Sequence, residues 1–440
     1  MAVVVGIVVG AGIFRSPSLV ADVTGSTGWM LAVWAFGGLL CLCGALTYAE
    51  LASAYPKVGG EYVFLSRAFG RGVGFLFAWA RATVIQTGSI AATAYIFGDY
   101  MERLVPLGAY GPLVWALAAT VVLTVCNLVG LKAGRWTQNV LTAVKALGVL
   151  AITVAGLLAA GHAPAPVEAV AGEAGAGWPG FGALGLAMVF VLYTFGGWNE
   201  AAYVAGELKG ERHSALWVLV GSIVLLAGLY VAVNLAYVRV LGIEGMAGAK
   251  AVAADAMLAL GGPWAERAVT VLVAVSALGA MNGCLFTGAR AICGVGEDFR
   301  PLRWLGRWHP KSGTPVAAIL LQSSVAVVLV ILPNLGGWFR LALGSGFEAA
   351  VEYTAPVFWL FFLLTGASVL ALRSKEPEVT RPFRVPLYPL TPIVFCLMCG
   401  YMLYSSIVYT RLGAMAGVAV LGVGVPVYLI FREKKAPLPE

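Results

Sequence analysis

Two apolar stretches of this chain are broken where a continuous helix would cost less. Val8 to Pro17 reads VVGAGIFRSP, with Gly10, Ala11 and Gly12 inside the run and Arg15 and Pro17 following it. Tyr193 to Glu207 reads YTFGGWNEAAYVAGE, with Gly196-Gly197 in the matching place of a second run. Glycine lets a chain leave helical φ/ψ and lets a ligand come close to backbone. The N–H groups freed at a half-helix N-terminus attract a carboxylate, and freed carbonyls accept from an ammonium group. Two such breaks suit the two ends of an α-amino acid. Either glycine pair alone would equally suit a close-packed seam of small residues; two breaks in corresponding positions of two halves point to the site of a secondary transporter.

Several polar side chains inside apolar runs are candidates for a role. Lys145, in TAVKALG, lies eight residues past Thr137, about 12 Å along a helix. A lysine at that depth is a functional-site hypothesis by default, with a snorkelling anchor as the alternative. Gln86 and Ser89, three apart, share a helical face. Glu348 and Glu352, four apart, also share one, either binding a proton or lying at the interface. Arg15 either closes a gate or is solvated, and Arg81 lies inside a run without an assigned role. Glu200 and Glu207 bracket the run after the second break, with Glu207 read as an anchor at its end. Of the seven cysteines, Cys41/Cys43 and Cys396/Cys399 form close pairs, but no histidine or carboxylate joins them as a metal site requires. They read as small packing residues. No HExxH, P-loop or GxSxG occurs, so neither an enzyme nor a bound cofactor is expected.

The elements that must hold these residues are membrane helices. The 440 residues are 60% hydrophobic and 11% charged, against about 25% charged in soluble domains. The mean hydropathy is +0.89. Apolar runs long enough to span a bilayer recur along the whole chain, and the short alternating segments of a β-barrel do not. The runs predict about twelve spans: 2–23, 28–54, 71–101, 112–130, 137–160, 181–207, 214–241, 264–296, 315–334, 345–372, 386–407 and 412–432. The first run lacks a basic n-region and a small-residue cleavage site, so it is not read as a signal peptide. Only about nine residues precede Gly10, barely two and a half turns of helix ahead of the break. The net charge of +7 follows the positive-inside rule rather than nucleic-acid binding: Lys and Arg crowd the even-to-odd connections and the tail, which sets both termini in the cytoplasm.

The Gly-, Ala- and Pro-rich stretch 161–180 divides span five from span six, and PEVTRPFRVPLYP, from Pro377 to Pro389, divides span ten from the last two. The organisation expected is five plus five plus two. Repeat one (1–160) and repeat two (181–372) form a transport core over 1–372, and 373–440 adds two helices and a short cytoplasmic tail.

At these residues the chain resembles the APC amino acid/polyamine/organocation transporter superfamily. VVGAGIFRSP is similar to its first-span signature, TYAELASAYPKVGGEYVFL (Thr47 to Leu65) to its second-span and loop signature, and FGGWNEAAYVAGEL and MNGCLFTGAR (Met281 to Arg290) most to its L-type branch. The resemblance covers spans one to ten. It implies an all-α, LeuT-type 5+5 inverted repeat with two additional C-terminal helices, working by alternating access. Carried over by position, Gly10, Ala11 and Gly12 receive the substrate carboxylate; many relatives have Ser at Ala11, so one side-chain hydrogen bond is missing here. Tyr193 falls on the aromatic gate, Thr194 and Gly196 on the carbonyls facing the amino group, and Asn199 where an amide can bridge the two breaks. Gln86 and Ser89 fall near the site on span three. Lys145 falls where a lysine replaces a coupling sodium and bonds the carbonyls of span one.

The function so implied is sodium-independent exchange of neutral L-amino acids. A proton-coupled symporter of amino acids or amines, using Glu352 or Lys145, is the alternative, and a non-transporting substrate sensor on the same fold a remote one. The partners expected are the amino acid and the lipid bilayer of a bacterial-type inner or plasma membrane. The loop RLVPLGAYGP has no cysteine, so no disulfide-linked ancillary subunit is expected.

Overall fold

The computed structural model describes residues 10–56, 60–130, 135–159, 177–199, 212–299, 302–310, 312–335, 346–410 and 412–431. The first half of span one, Glu200, Glu207, most of the stretch 161–180 and the cationic tail lie outside the described residues.

Among the described residues the chain is helical throughout, without strands. After a 3₁₀ turn (Ala11–Phe14), span one continues as α1 (Ser16–Thr24), started by Pro17 in its first turn and stopped by Gly25 at φ 59°. Such a left-handed residue ends a helix at least cost when it is glycine. Span two is α2 (Thr27–Ala54), followed by a short helix α3 (Glu61–Phe69). Span three is α4 (Arg71–Ala80), a π turn (Arg81–Ile85) and α5 (Gln86–Leu104). Span four is α6 (Gly111–Val129), span five α7 (Arg135–Leu158) and span six begins as α8 (Gly180–Thr194). Then follow α9 (Arg212–Met246), α10 (Val252–Asp298), α11 (Val316–Ile331), α12 (Gly346–Lys375), α13 (Leu390–Val408) and α14 (Leu412–Phe431).

The packing follows the repeat. Spans one, two, three and four each pack on the span five places later: α1 on α8, α2 on α9, α5 on α10, and α6 on α11. Span five packs on span eight (α7 on α10), and its counterpart, span ten, packs on span three (α12 on α5). A shift of five crossings reverses direction, so the two halves are related by inversion. The last two spans both pack on α12, and they also reach the first half, α13 on α2 and α14 on α4. Only 22% of the most apolar window of α6 and of α14 is buried, against 61% of α12. The first two therefore face lipid, and α12 runs through the protein interior.

Two connections carry more structure than their sequence suggests. The stretch after span two forms α3, whose Glu61, Phe64, Leu65 and Ala68 are buried. The connection between spans seven and eight is helical from Val252, kinks at Gly262 (φ 72°) and runs on into span eight. Its Val252, Ala253 and Ala254 are fully buried. By parity of crossings, the end of α1, the start of α10 and the start of α12 share one membrane face, here the α1 face. The connection holding α3 and the end of α12 lie on the opposite, α3 face.

Candidate substrate-binding site

At both predicted breaks the described backbone departs from α-helix. Gly10 is extended (φ −86°, ψ −178°), the next four residues form the 3₁₀ turn, and Arg15 is again non-helical (φ −129°, ψ −46°) before α1 begins. The turn closes with the Arg15 N–H donating to the Gly12 carbonyl at 3.0 Å. In span six, α8 stops at Thr194. The Gly196 N–H folds back on the Tyr193 carbonyl at 3.0 Å, and Gly197 takes φ 103°, where a side chain would be strained.

The breaks meet. A β-carbon built on Gly12 would lie 3.0 Å from Thr194 Oγ1 and 3.2 Å from its Cα. The Thr194 and Ser16 hydroxyls are joined by a 2.7 Å hydrogen bond, which pins the end of α8 to the start of α1. Ser16, absent from the sequence reading, thus closes the contact. Ala11 and Gly12 are buried and Gly10 half-buried.

Tyr193 is half-buried between α12 and α5. Its ring meets Phe347 edge-on, centroids 5.7 Å apart, and its hydroxyl faces the Ser89 and Thr93 hydroxyls of α5. A tyrosine here requires a polar partner, and α5 supplies two. Ser89 also donates to the Ile85 carbonyl at 2.8 Å, and Gln86 reaches Thr287 of α10 at 3.5 Å. Directly ahead of them lies the π turn, a feature frequent at functional sites. The Thr83 carbonyl inside it accepts from the Tyr353 hydroxyl at 3.0 Å and the Thr87 hydroxyl at 2.6 Å. No residue in that stretch signals a π turn by type, so only the fold reveals it.

Lys145 is 3% exposed. It faces Cys284 of α10, which also lies near Tyr193. Among the described residues its ammonium makes no hydrogen bond or ion pair, including with Gly10 to Arg15. Asn199 is directed elsewhere than toward the first break: its amide donates to Glu61 Oε1 of α3 at 3.1 Å. The same carboxylate accepts from the Tyr48 hydroxyl at 2.9 Å and lies 3.8 Å from Arg81 of the π turn. Arg81 thereby acquires a partner that sequence did not suggest.

Arg15 is buried, not solvated. It donates to the Ala249 carbonyl at 2.6 Å and to Ser18 at 3.2 Å, and pairs with Glu348 at 3.5 Å. Beside it the Tyr100 hydroxyl donates to the Phe14 carbonyl at 2.9 Å and accepts from the Ala253 N–H at 3.3 Å. Glu352, one turn beyond Glu348, is buried. Both close cysteine pairs are free thiols, and no cluster of metal-ligating residues occurs among the described residues.

Apposed departures from helix in two spans packed on one another are where a secondary transporter places its substrate. The family model of the amino acid permeases matches residues 1–430. This chain belongs to the amino acid permease family. It is a polytopic membrane transporter rather than an enzyme. It is 30% identical over 412 residues to the b(0,+)-type amino acid transporter 1 of Mus musculus, covering 92% of this chain and 81% of that one. It is 30% identical over 445 residues to the large neutral amino acids transporter small subunit 2 of the same species, covering 97% and 79%. It is 26% identical over 441 residues to the serine/threonine exchanger SteT of Bacillus subtilis (strain 168), covering 99% and 96%.

Proposed function

We propose that this permease exchanges neutral L-amino acids across the membrane, independently of sodium, by alternating access. The observation that carries the reading is the meeting of the two broken spans at Gly12 and Thr194 beside Tyr193. Gly10, Ala11 and Gly12 offer backbone for the α-carboxylate, and the turn after Thr194, with Gly196, offers carbonyls for the α-ammonium. Gln86 and Ser89 line the α5 side and Tyr193 forms the lid. Lys145 is a buried cation near this region without an ion-pair partner among the described residues, and an ammonium so placed takes the role of a coupling cation without an ion being carried. No acidic side chain stands among these site residues to select a cationic substrate. Of the relatives named above, one is a serine/threonine exchanger and one a large neutral amino acids transporter subunit by name.

The moving core comprises repeats 1–160 and 181–372, with 373–440 as a flank. The cation-rich α3 face is cytoplasmic, in a bacterial-type inner membrane. The protein works without a disulfide-linked ancillary subunit, as the connection from Arg103 to Pro112 contains no cysteine.

The test is efflux of labelled serine, leucine or lysine from proteoliposomes, with and without external amino acid, at two pH values, in sodium and in choline. Trans-stimulated exchange of serine and leucine, insensitive to sodium and pH, is expected. Net uptake that needs an inward proton gradient would replace exchange by symport, and binding without flux would make the protein a sensor.

A further inference from the structure

Arg15 and Asn199 each follow a glycine of one of the two breaks by three positions, Gly12 and Gly196 respectively. Each leaves the break to engage a different membrane face. Arg15 is held on the α1 face, by the Ala249 carbonyl and Glu348. Asn199 is held on the α3 face, by Glu61.

We propose that Glu61 is a positioning residue for transport: by holding Asn199 it keeps the path from the substrate site closed on the α3 face, in opposition to Arg15 on the α1 face. This rests on the exchange reading above and names what sets the closure.

Glu61 is suited to hold a moving partner. It is 1% exposed, in the first turn of α3, and gathers three elements: Tyr48 of α2, Arg81 of the π turn and Asn199 after the second break. A carboxylate so buried cannot be left without partners. Its own helix is anchored. Arg67 of α3 pairs with Glu376 at 3.1 Å, Tyr55 donates to the same carboxylate at 3.0 Å, and Lys375 donates to the Ala68 carbonyl at 2.6 Å. These contacts fasten α3 to the end of α12. The acceptor is therefore fixed, while its donor lies in a non-helical stretch next to the site. Opening the α3 face moves Trp198 and Asn199 away, and the carboxylate keeps Tyr48 and Arg81 while Asn199 leaves. Trp198 must also part from Tyr48, Phe362 and Phe395, and the charge-assisted bond of Asn199 adds to that packing.

The experiment compares wild type with Glu61→Gln, Asn199→Ala, their double variant and Arg15→Gln, in proteoliposomes of determined orientation. Half-saturation for exchange is measured separately from each face. Glu61→Gln keeps the shape and an acceptor for Tyr48 but loses the charge, so the α3-face half-saturation should fall relative to the α1-face value by roughly fivefold to tenfold, the size of a weakened charge-assisted hydrogen bond. Arg15→Gln should move the same ratio the other way. Asn199→Ala should resemble Glu61→Gln, and the double variant should go no further. Hydrogen exchange of the Trp198–Asn199 stretch, which needs no substrate, should rise in both single variants and confirms that each is folded elsewhere. An unchanged ratio with unchanged hydrogen exchange overturns the proposal, as does an additive double variant. Equal loss of affinity from both faces in Asn199→Ala would make Asn199 a substrate contact instead. Should wild type exchange no amino acid, the proposed function fails, and hydrogen exchange alone decides whether Glu61 holds Asn199.

Discussion

Gly12→Ala puts a methyl group where the two broken spans touch. The added carbon would lie 3.0 Å from Thr194 Oγ1, 3.2 Å from Thr194 Cα and 3.3 Å from Thr194 Cγ2. Carbon contacts relax at about 3.5–4.0 Å, so either the spans part by a few tenths of an ångström or Thr194 rotates and gives up its 2.7 Å bond to Ser16. Overpacking of this kind costs about 1–3 kcal/mol, and the lost buried hydrogen bond about 1 kcal/mol. The lower end of that range corresponds to roughly a fivefold change in the population of the closed arrangement, and the upper end to more than a hundredfold. The backbone at Gly12 is not left-handed, so conformational strain does not confound the result. The assay is exchange in proteoliposomes together with substrate-induced thermal stabilisation in detergent, which separates weak binding from slow turnover. Gly12→Val should be worse, since a β-branched side chain adds a second carbon at the same contact. Thr194→Ser, which removes Cγ2 and retains the hydroxyl, should restore part of what Gly12→Ala loses. Wild-type affinity and rate in Gly12→Ala would show that the spans do not approach here during transport, and the location of the site would fall with them.

Tyr193→Phe should retain most exchange, because the ring still packs on Phe347 while only the contacts to Ser89 and Thr93 are lost; Tyr193→Ala should lower the affinity at least tenfold, and equal exchange by both would reduce the ring to ordinary packing. Lys145→Ala should slow exchange strongly without lowering the melting temperature, since the ammonium has no partner among the described residues to lose; the profile is taken across roughly pH 5 to 8, in sodium and in choline, and wild-type rates throughout would make Lys145 an anchor. Glu50→Ala should destabilise the protein by about 3–5 kcal/mol, read as a lower melting temperature in detergent. The buried carboxylate takes a bidentate pair from Arg373 at 2.7 and 2.6 Å and the Val385 N–H at 2.7 Å, with Arg381 at 3.7 Å. An unchanged melting temperature would mean that the two guanidiniums find equal partners elsewhere.

The amino-acid sequence by itself determined the helical membrane class, the places of the spans and the two breaks. These are local properties. Bilayer thickness demands a run of apolar residues, glycine relaxes the backbone where it stands, and the excess of Lys and Arg in alternate connections is counted along the chain. Thus Thr27–Ala54 and Gly111–Val129 lie within a residue of their expected bounds, and Gly10 and Gly196 mark real departures from helix. The tertiary structure alone decided which side chains meet. Ser16 and Thr194 are far apart in sequence and join only because an inverted repeat lays span one on span six. Arg81, without a role in sequence, lies beside Glu61 because the fold packs the start of the π turn near α3. Asn199 could have bridged the breaks as far as its position in the chain could tell, yet its amide is taken by a carboxylate from a connection that the sequence marked only as a loop. Burial is the physical reason. A polar group withdrawn from water must find its partner among whatever the fold brings within about 3 Å, and that neighbourhood is set by packing between spans, not by the order of residues within one.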